Sequence, residues 1–403
     1  FDMPYLMNRM RYIVDNDTIN KMSPWNYVNA DRIQLGNKSN QIWNILGISV
    51  LDYFDLYKKF TYVRQESYKL NYIAKVELGE QKLDNPYETF KDFYTKDYQR
   101  FVEYNIQDVE LVDRLEDKMK LIELCLTMAY DYKVNYTDVY SQVRCWDTII
   151  YNHLLTKDII IPPREDQVKD TQYEGAYVKD PQLGLHNWIV SFDLNSLYPH
   201  LIMQYNISPE TFVGTEPKAV GVENFLDEKL NLKWAKDRNV TIAPNGAMFK
   251  RDKQGFLPEL MEKMYTERVV YKKKAIEAKI EYQKTKDPIY SNEISRCHNI
   301  QMAKKISLNS AYGAIGNQYF RYFDVKQAEA ITLGGQLSIR WIERDVNKFM
   351  NKLLGTDNKN YVVASDTDSI YLKLDTLVEK VCKNKSTKQI VDFLDKAAEE
   401  KIQ

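Results

Sequence analysis

Three short runs bring together groups able to handle metal ions or phosphate. The first is Ser191-Phe192-Asp193-Leu194-Asn195-Ser196-Leu197-Tyr198-Pro199. Asp193 stands near the end of Trp188–Leu194, whose β-branched and aromatic residues read as a buried strand. A strand would aim the carboxylate rigidly, as suits a metal ligand. Capping the helix that follows is the other common task for such an Asp. The second run is Lys305-Ile306-Ser307-Leu308-Asn309-Ser310-Ala311-Tyr312-Gly313. On a helix Lys305, Asn309 and Tyr312 share a face, offering an ammonium, an amide and a ring suited to a nucleotide. Gly313 would let a base or another backbone come close. An amphipathic helix with Tyr312 in the core and Gly313 as C-cap fits equally. The third is Asp366-Thr367-Asp368-Ser369. Two acids at i,i+2 on extended chain point the same way, and such a pair needs a cation or a basic partner. A calcium loop is excluded, because the glycine and glutamate it requires are replaced by Tyr371 and Leu377. A plain polar β-turn remains open.

The positioning elements follow from periodicity. Ile42–Val50 and Leu51–Leu56 are strand candidates. Ile106, Val109, Val112 and Leu115 recur at three-residue steps and predict a helix over Tyr104–Lys120 that continues into Leu121–Tyr130. Residues 131–170 read as a connector ending in Ile161-Pro162-Pro163. Leu257-Pro258-Glu259 opens a helix running to about Lys284. Asp287-Pro288 makes a turn, and a second helix runs from about Asn292 to Ser310, completing an antiparallel hairpin. Tyr361–Ser365 and Ile370–Leu374 are short strands around the acidic tip.

A chain of 403 residues exceeds one core, so about two or three domains are expected. Apolar runs are short and broken by charge, which argues against a membrane span, and the start has no signal-peptide pattern. Cys125, Cys145, Cys297 and Cys382 match no zinc or disulfide framework and read as reduced thiols of a cytosolic protein. Lys250–Ser310 carries 14 Lys and Arg against 8 Asp and Glu, although the whole chain has net charge −1. A basic segment in an acidic frame fits a face that meets phosphate, and equally a solvated helical hairpin.

In this order the three runs resemble motifs A, B and C of family B DNA polymerases, D-x-x-S-L-Y-P, K-x-x-x-N-S-x-Y-G and D-T-D-S. Gly47–Phe60 and Asn206–Thr211 resemble the replicative polymerases of T-even-like tailed phages, and the similarity extends over essentially the whole chain. The resemblance implies a multidomain α+β protein. Residues 1–130 correspond to the C-terminal part of an RNase H-like 3′–5′ exonuclease and 131–170 to a connector. A palm with an antiparallel sheet takes 171–256 and 321–403, and helical-hairpin fingers take 257–320. It implies primer extension with dNTPs on a DNA template, using two Mg²⁺ ions held about 3.5–4 Å apart. Asp193 and Asp368 match the main ligands, Asp366 an accessory acid, and the Leu194 carbonyl a further ligand. The Ser196 and Leu197 amides match triphosphate contacts, and Tyr198 matches the steric gate against a 2′-OH. Arg268, Lys272 and Lys305 match a clamp on the phosphates. Tyr173-Glu174-Gly175-Ala176 resembles the loop that touches the template, with Tyr173 and Gly175 as DNA contacts beside Tyr312 and Gly313. Tyr104 and Asp108 match the third exonuclease motif, and Asp2 matches the tail of the second. Further divalent ions at the exonuclease site, a sliding clamp and other replisome partners, and a place in the host cytoplasm are also implied.

Two positions depart from the pattern. Ser365 stands where glycine commonly precedes motif C, and His200 stands where motif A commonly ends in a small residue. The first exonuclease motif, D-x-E, is expected before residue 1, and the rest of the palm and the thumb after Gln403, so the chain reads as a fragment. One piece of a naturally split polymerase, a non-catalytic homologue and a nuclease are the alternatives. Because phosphate contacts dominate DNA affinity, this polypeptide alone is expected to bind primer–template weakly in filter binding and to extend it poorly. Processive synthesis would contradict the fragment reading.

Overall fold

Helix caps written in the sequence decide where many elements begin. The computed structural model describes residues 2–35, 38–61, 63–165, 168–169 and 171–402; of residues 2, 33–35, 38–40, 219, 401 and 402 it describes the backbone alone. The chain divides into two units, Phe1–Ser141 and Gln142–Gln403.

The first unit runs through α1 (Asp2–Ile13), α2 (Asn16–Asn20), the antiparallel pair β1 (Val28–Leu35) and β2 (Lys38–Ile45), α3 (Tyr53–Phe60), α4 (Leu70–Leu78), α5 (Phe90–Lys96), α6 (Tyr98–Met119) and α7 (Leu121–Tyr132). A 3₁₀ turn, Tyr136–Tyr140, follows. The strand expected over Ile42–Val50 ends at Ile45, and the one expected over Leu51–Leu56 is the entry to α3. Asp52 decides this: its carboxylate accepts from the Phe54 amide at 2.8 Å, and the helix then buries Leu56, Tyr57 and Phe60. A short apolar run cannot by itself tell strand from helix. The expected helix around Tyr104–Lys120 lies inside α6, but Ile106 and Val109 are exposed while Leu111 and Leu115 are buried. Lys120, in the left-handed region, separates α6 from α7.

The second unit opens with α8 (Gln142–Leu155), a helix within the stretch expected as a connector. Its Trp146 is buried, and the indole N–H donates to Ser310 Oγ at 3.1 Å. The chain then forms β3 (Val178–Lys179), β4 (Ile189–Asp193), α9 (Leu197–Tyr205), β5 (Phe212–Val220), α10 (Val222–Leu226), α11 (Lys233–Asp237), β6 (Val240–Ile242), β7 (Asn245–Lys250), α12 (Phe256–Thr285), α13 (Pro288–Ile315), α14 (Val325–Leu354), β8 (Val362–Asp366), β9 (Ser369–Lys373), α15 (Asp375–Val381) and α16 (Thr387–Ala397), ending in a π turn, Ala398–Ile402. One antiparallel sheet has the order β3-β8-β9-β4 and a second β5-β7-β6. The first sheet packs Val362, Ile370 and Leu372 against Ile339, Met350 and Leu354 of α14. In β4, Val190 and Phe192 join this core, while Ile189, Ser191 and Asp193 are exposed. The strand is therefore one-faced rather than fully buried, which leaves its outer face open.

The helical hairpin is longer than expected in its second arm. Asp287 accepts from the Ile289 amide at 2.9 Å, and Pro288 takes the first helical position, so α13 begins directly after the turn. The start of α12 is held by the Asn206–Thr211 run: the Gly255 amide donates to Asn206 Oδ1 at 2.9 Å and the Phe256 amide to Glu210 Oε1 at 2.6 Å. Across the hairpin Lys304, buried, pairs with Glu267 at 2.6 Å.

Helix α9 lies close on α14 where two glycines remove side-chain bulk. A Cβ at Gly335 would stand 3.0 Å from Tyr198 Cε1, and one at Gly334 3.1 Å from Tyr205 Cε2. Gly335→Val should lower unfolding stability by about 1–3 kcal/mol through overpacking, read by urea denaturation; an unchanged midpoint would refute this close approach.

Candidate active site

Strand β4 delivers Asp193 to the sheet edge, and the β8–β9 hairpin delivers Asp368 beside it. Pairing sets Asp193 opposite Ser369, and the Leu194 amide donates to the Asp368 carbonyl at 2.7 Å. Burial raises the Asp368 pKa first, and the charges of Asp193 and then Asp366 add to it. Asp366 and Asp368 do not alternate along one extended strand, as i,i+2 spacing suggested. Thr367 has φ 56°, and the Asp368 amide turns back to the Asp366 carbonyl at 2.6 Å. Asp366 is consequently exposed at the end of β8, while Asp368 is half-buried in the turn. Ser365 is buried within the sheet, and its hydroxyl has no hydrogen-bond partner.

After Asp193 the chain turns through Ser196, at φ 56°, into α9, whose N-terminus has no side-chain cap. Its first amides are therefore orphan donors of the kind that bind anions. The Arg268 guanidinium donates to Ser196 Oγ at 3.1 Å from α12, and its Nε is buried without a partner. Lys272, four residues on, is exposed. His200 is half-buried rather than exposed: its ring N–H donates to the Ser196 carbonyl at 2.9 Å, and the ring meets Tyr265 edge-on at 4.7 Å.

On α13, Lys305 and Tyr312 are half-buried and Asn309 and Gly313 exposed. The Tyr312 ring lies 5.0 Å from that of Tyr198. Gly313 is inside the helix, and Gly316 is the C-cap. Burial, then the Asp368 charge, raises the Tyr198 pKa; burial, then the hydrogen bond to Tyr173, raises that of Tyr312. Both phenols thus stay neutral. Tyr312 donates to Tyr173 at 3.2 Å. The Tyr173–Ala176 loop is tied down by two residues that sequence reading missed: Thr332 donates to the Glu174 carbonyl at 2.8 Å and Gln336 to the Gly175 carbonyl at 2.7 Å. Both are buried on α14, four residues apart and so on one helical face.

In the first unit Tyr104 and Asp108 share a face of α6, but Asp108 is paired with Lys82 at 2.7 Å, and the Lys82 ammonium sits 4.8 Å over the Tyr104 ring. Burial opposes the Lys82 charge, yet the hydrogen bonds to Asp108 and Tyr104 outweigh it and leave the pKa raised. Tyr104 also packs edge-on against Phe90 and Phe93. Asp2 begins α1, and its side chain lies outside the described residues. Lys82 sits in a loop with no local signal to mark it.

Among the described residues no cluster of three or more His, Cys, Asp or Glu side chains is arranged to hold a metal. The Asp193–Asp368 pair still fits a hard divalent cation, because it supplies two carboxylates at one sheet edge, and burial and then neighbouring negative charge raise the Asp368 pKa, a conflict that a cation would relieve. The Asp108 site does not fit by itself: one carboxylate, already neutralised by an ammonium, is too small a donor set.

Comparison with known proteins gives the lineage of the chain that carries this acidic sheet edge and helical hairpin. Residues 134–398 match the model for DNA polymerase family B and residues 1–73 that for its exonuclease domain, so the chain belongs to DNA polymerase family B. It is 34% identical to the DNA-directed DNA polymerase of Escherichia phage RB69 and 32% to that of Enterobacteria phage T4, in each case over 100% of this chain and 49% of the relative. It is 27% identical to the DNA polymerase delta catalytic subunit of Candida albicans over 93% of this chain and 35% of that protein. The chain thus spans about half the length of its phage relatives. Members of the family use divalent metal ions, and among the described residues no helix is long and apolar enough to cross a membrane.

The Tyr173–Ala176 loop hangs on α14, so Gln336→Leu should cost about 1 kcal/mol and speed proteolysis of that loop. Unaltered denaturation and cleavage would show that the contact carries nothing.

Proposed function

We propose that this chain carries the nucleotidyl-transfer site of a DNA-directed DNA polymerase that extends a primer 3′ end on a DNA template. The supporting observation is the adjacency of Asp193 and Asp368, with the Asp368 pKa raised by burial and then by its acidic neighbours. Asp193, Asp368 and the Leu194 carbonyl would hold two Mg²⁺ ions, which when bound supply activation of the 3′-OH and neutralisation of the leaving pyrophosphate. Arg268, Lys272 and Lys305 bind the dNTP phosphates, helped by the uncapped amides at Ser196 and Leu197. Tyr198, whose ring lies 5.0 Å from that of Tyr312, is the candidate steric gate against a ribose 2′-OH. Asn309, Tyr312 and Gly313 face the nascent base pair, and Tyr173 and Gly175 face the template. Asp366 tunes Asp368 by its charge.

The second unit on this reading is palm (171–256 and 321–403) with fingers (257–320), preceded by a connector at 131–170. The first unit is the C-terminal part of a 3′–5′ proofreading exonuclease, in which Tyr104, Asp108 and Asp2 are the candidate residues. Relatives named as phage DNA-directed DNA polymerases support a role in phage DNA synthesis; phage genome replication in the host cytoplasm, with a sliding clamp and other replisome proteins as partners of the complete protein, belongs to the same proposal.

In the complete polymerase, Asp193→Ala should reduce primer extension by roughly a thousandfold or more and spare 3′–5′ digestion, measured on a labelled primer–template; Asp108→Ala should do the reverse. Extension by Asp193→Ala at the parental rate would end the proposal.

A further inference from the structure

Several side chains of the second unit meet at one backbone turn, and Tyr265 is among those with no role in the reading above. Tyr265 lies three residues before Arg268 on α12, so the two share a helical face. Its hydroxyl accepts from Asn195 Nδ2 at 3.1 Å, and its ring receives the His200 ring edge-on at 4.7 Å. Asn195 Oδ1 in turn accepts from the Ser196 hydroxyl at 3.3 Å. The Ser196 carbonyl accepts from both His200 Nδ1 and the His200 amide, at 2.9 and 3.1 Å. A carbonyl can only accept, so His200 carries its proton on Nδ1. The same Ser196 offers its hydroxyl to Arg268. Ser196 is thereby gripped on its hydroxyl and its carbonyl, in a left-handed conformation that has no side-chain cap to hold it.

We propose that Tyr265 is a positioning residue, docking α12 on the Asn195–His200 turn so that Arg268 stands ready for the triphosphate of an incoming nucleotide. The inference deepens the polymerase reading and rests on it. Arg268 has one guanidinium edge on a neutral hydroxyl and a buried Nε with no partner. A neutral partner holds an arginine weakly, and charge-assisted bonds to phosphate are about twice as strong, so an arriving triphosphate can take the guanidinium from Ser196. Ser196 keeps its place meanwhile, because His200 and Asn195 hold it independently of Arg268. Once Arg268 leaves Ser196, Tyr265 is the member of this set that still ties α12 to the turn, and without it Arg268 must search for the phosphate at a cost in ordering.

The test is Mg²⁺–dATP binding to this chain by equilibrium dialysis, with thermal melting as a control for folding. Tyr265→Phe keeps the ring on His200 and loses only the Asn195 bond; it should weaken binding by about threefold, and Tyr265→Ala by about tenfold. In an Arg268→Ala background both changes should fall below about twofold, since Tyr265 acts through Arg268. A general loss of structure would persist in that background and would overturn the proposal. So would full affinity in Tyr265→Ala. Failure of the parental chain to bind Mg²⁺–dATP at all would instead overturn the polymerase reading, and with it this inference.

Discussion

Two like charges are held side by side by a β-ladder. Unit charges about 4 Å apart repel by about 1 kcal/mol in water and by about 4 kcal/mol at an effective dielectric near 20. Each backbone hydrogen bond returns about 1 kcal/mol net. The pairing of β4 with β9 runs from Ile189–Lys373 to Asp193–Ser369, and the Leu194 amide extends it to the Asp368 carbonyl. The ladder, together with the burial of Val190, Phe192, Ile370 and Leu372 beneath it, outweighs the repulsion. The site can therefore keep its acidic pair before any cation arrives, and the Asp368 pKa, raised by burial first, carries the conflict as its second cause.

Helix α14 is the scaffold that gives this pair its surroundings. Ile339 and Met350 fill the core under the sheet. Gly334 and Gly335 admit α9, with Tyr198, at close range. Thr332 and Gln336 hold the loop that carries Tyr173, whose hydroxyl meets Tyr312 on α13. One rigid element thus sets the distances among the acidic edge, the Tyr198–Tyr312 ring pair and the candidate template loop. A packed helix transmits such constraints because interiors have little free volume to absorb a shift.

The cationic side of the site depends on the hairpin of α12 and α13. The Lys304–Glu267 pair places its two members next to Lys305 and Arg268 in sequence. Buried ion pairs add little net stability, but breaking one is costly, so they favour one register over its neighbours. In the first unit another ion pair, Lys82 with Asp108, neutralises the acid expected to act in proofreading.

The sequence by itself determined the chemistry and the local elements. Asp193, Lys305 and Asp368 stood out because rigid placement and charge pairing leave a signature within a few residues, and the hairpin was legible because Asp287-Pro288 caps and starts a helix by local bonding alone. The sequence did not distinguish strand from helix at Leu51–Leu56, where a cap at Asp52 overrode an ambiguous apolar run. Nor did it show which way Asp366 points, because one positive φ at Thr367 breaks the alternation. Only the tertiary structure decided that His200 meets Tyr265, that Thr332 and Gln336 anchor a loop far away in sequence, and that Lys82 covers Asp108. Those contacts join residues from distant parts of the chain, and no periodicity or local propensity encodes a partner that folding alone brings near.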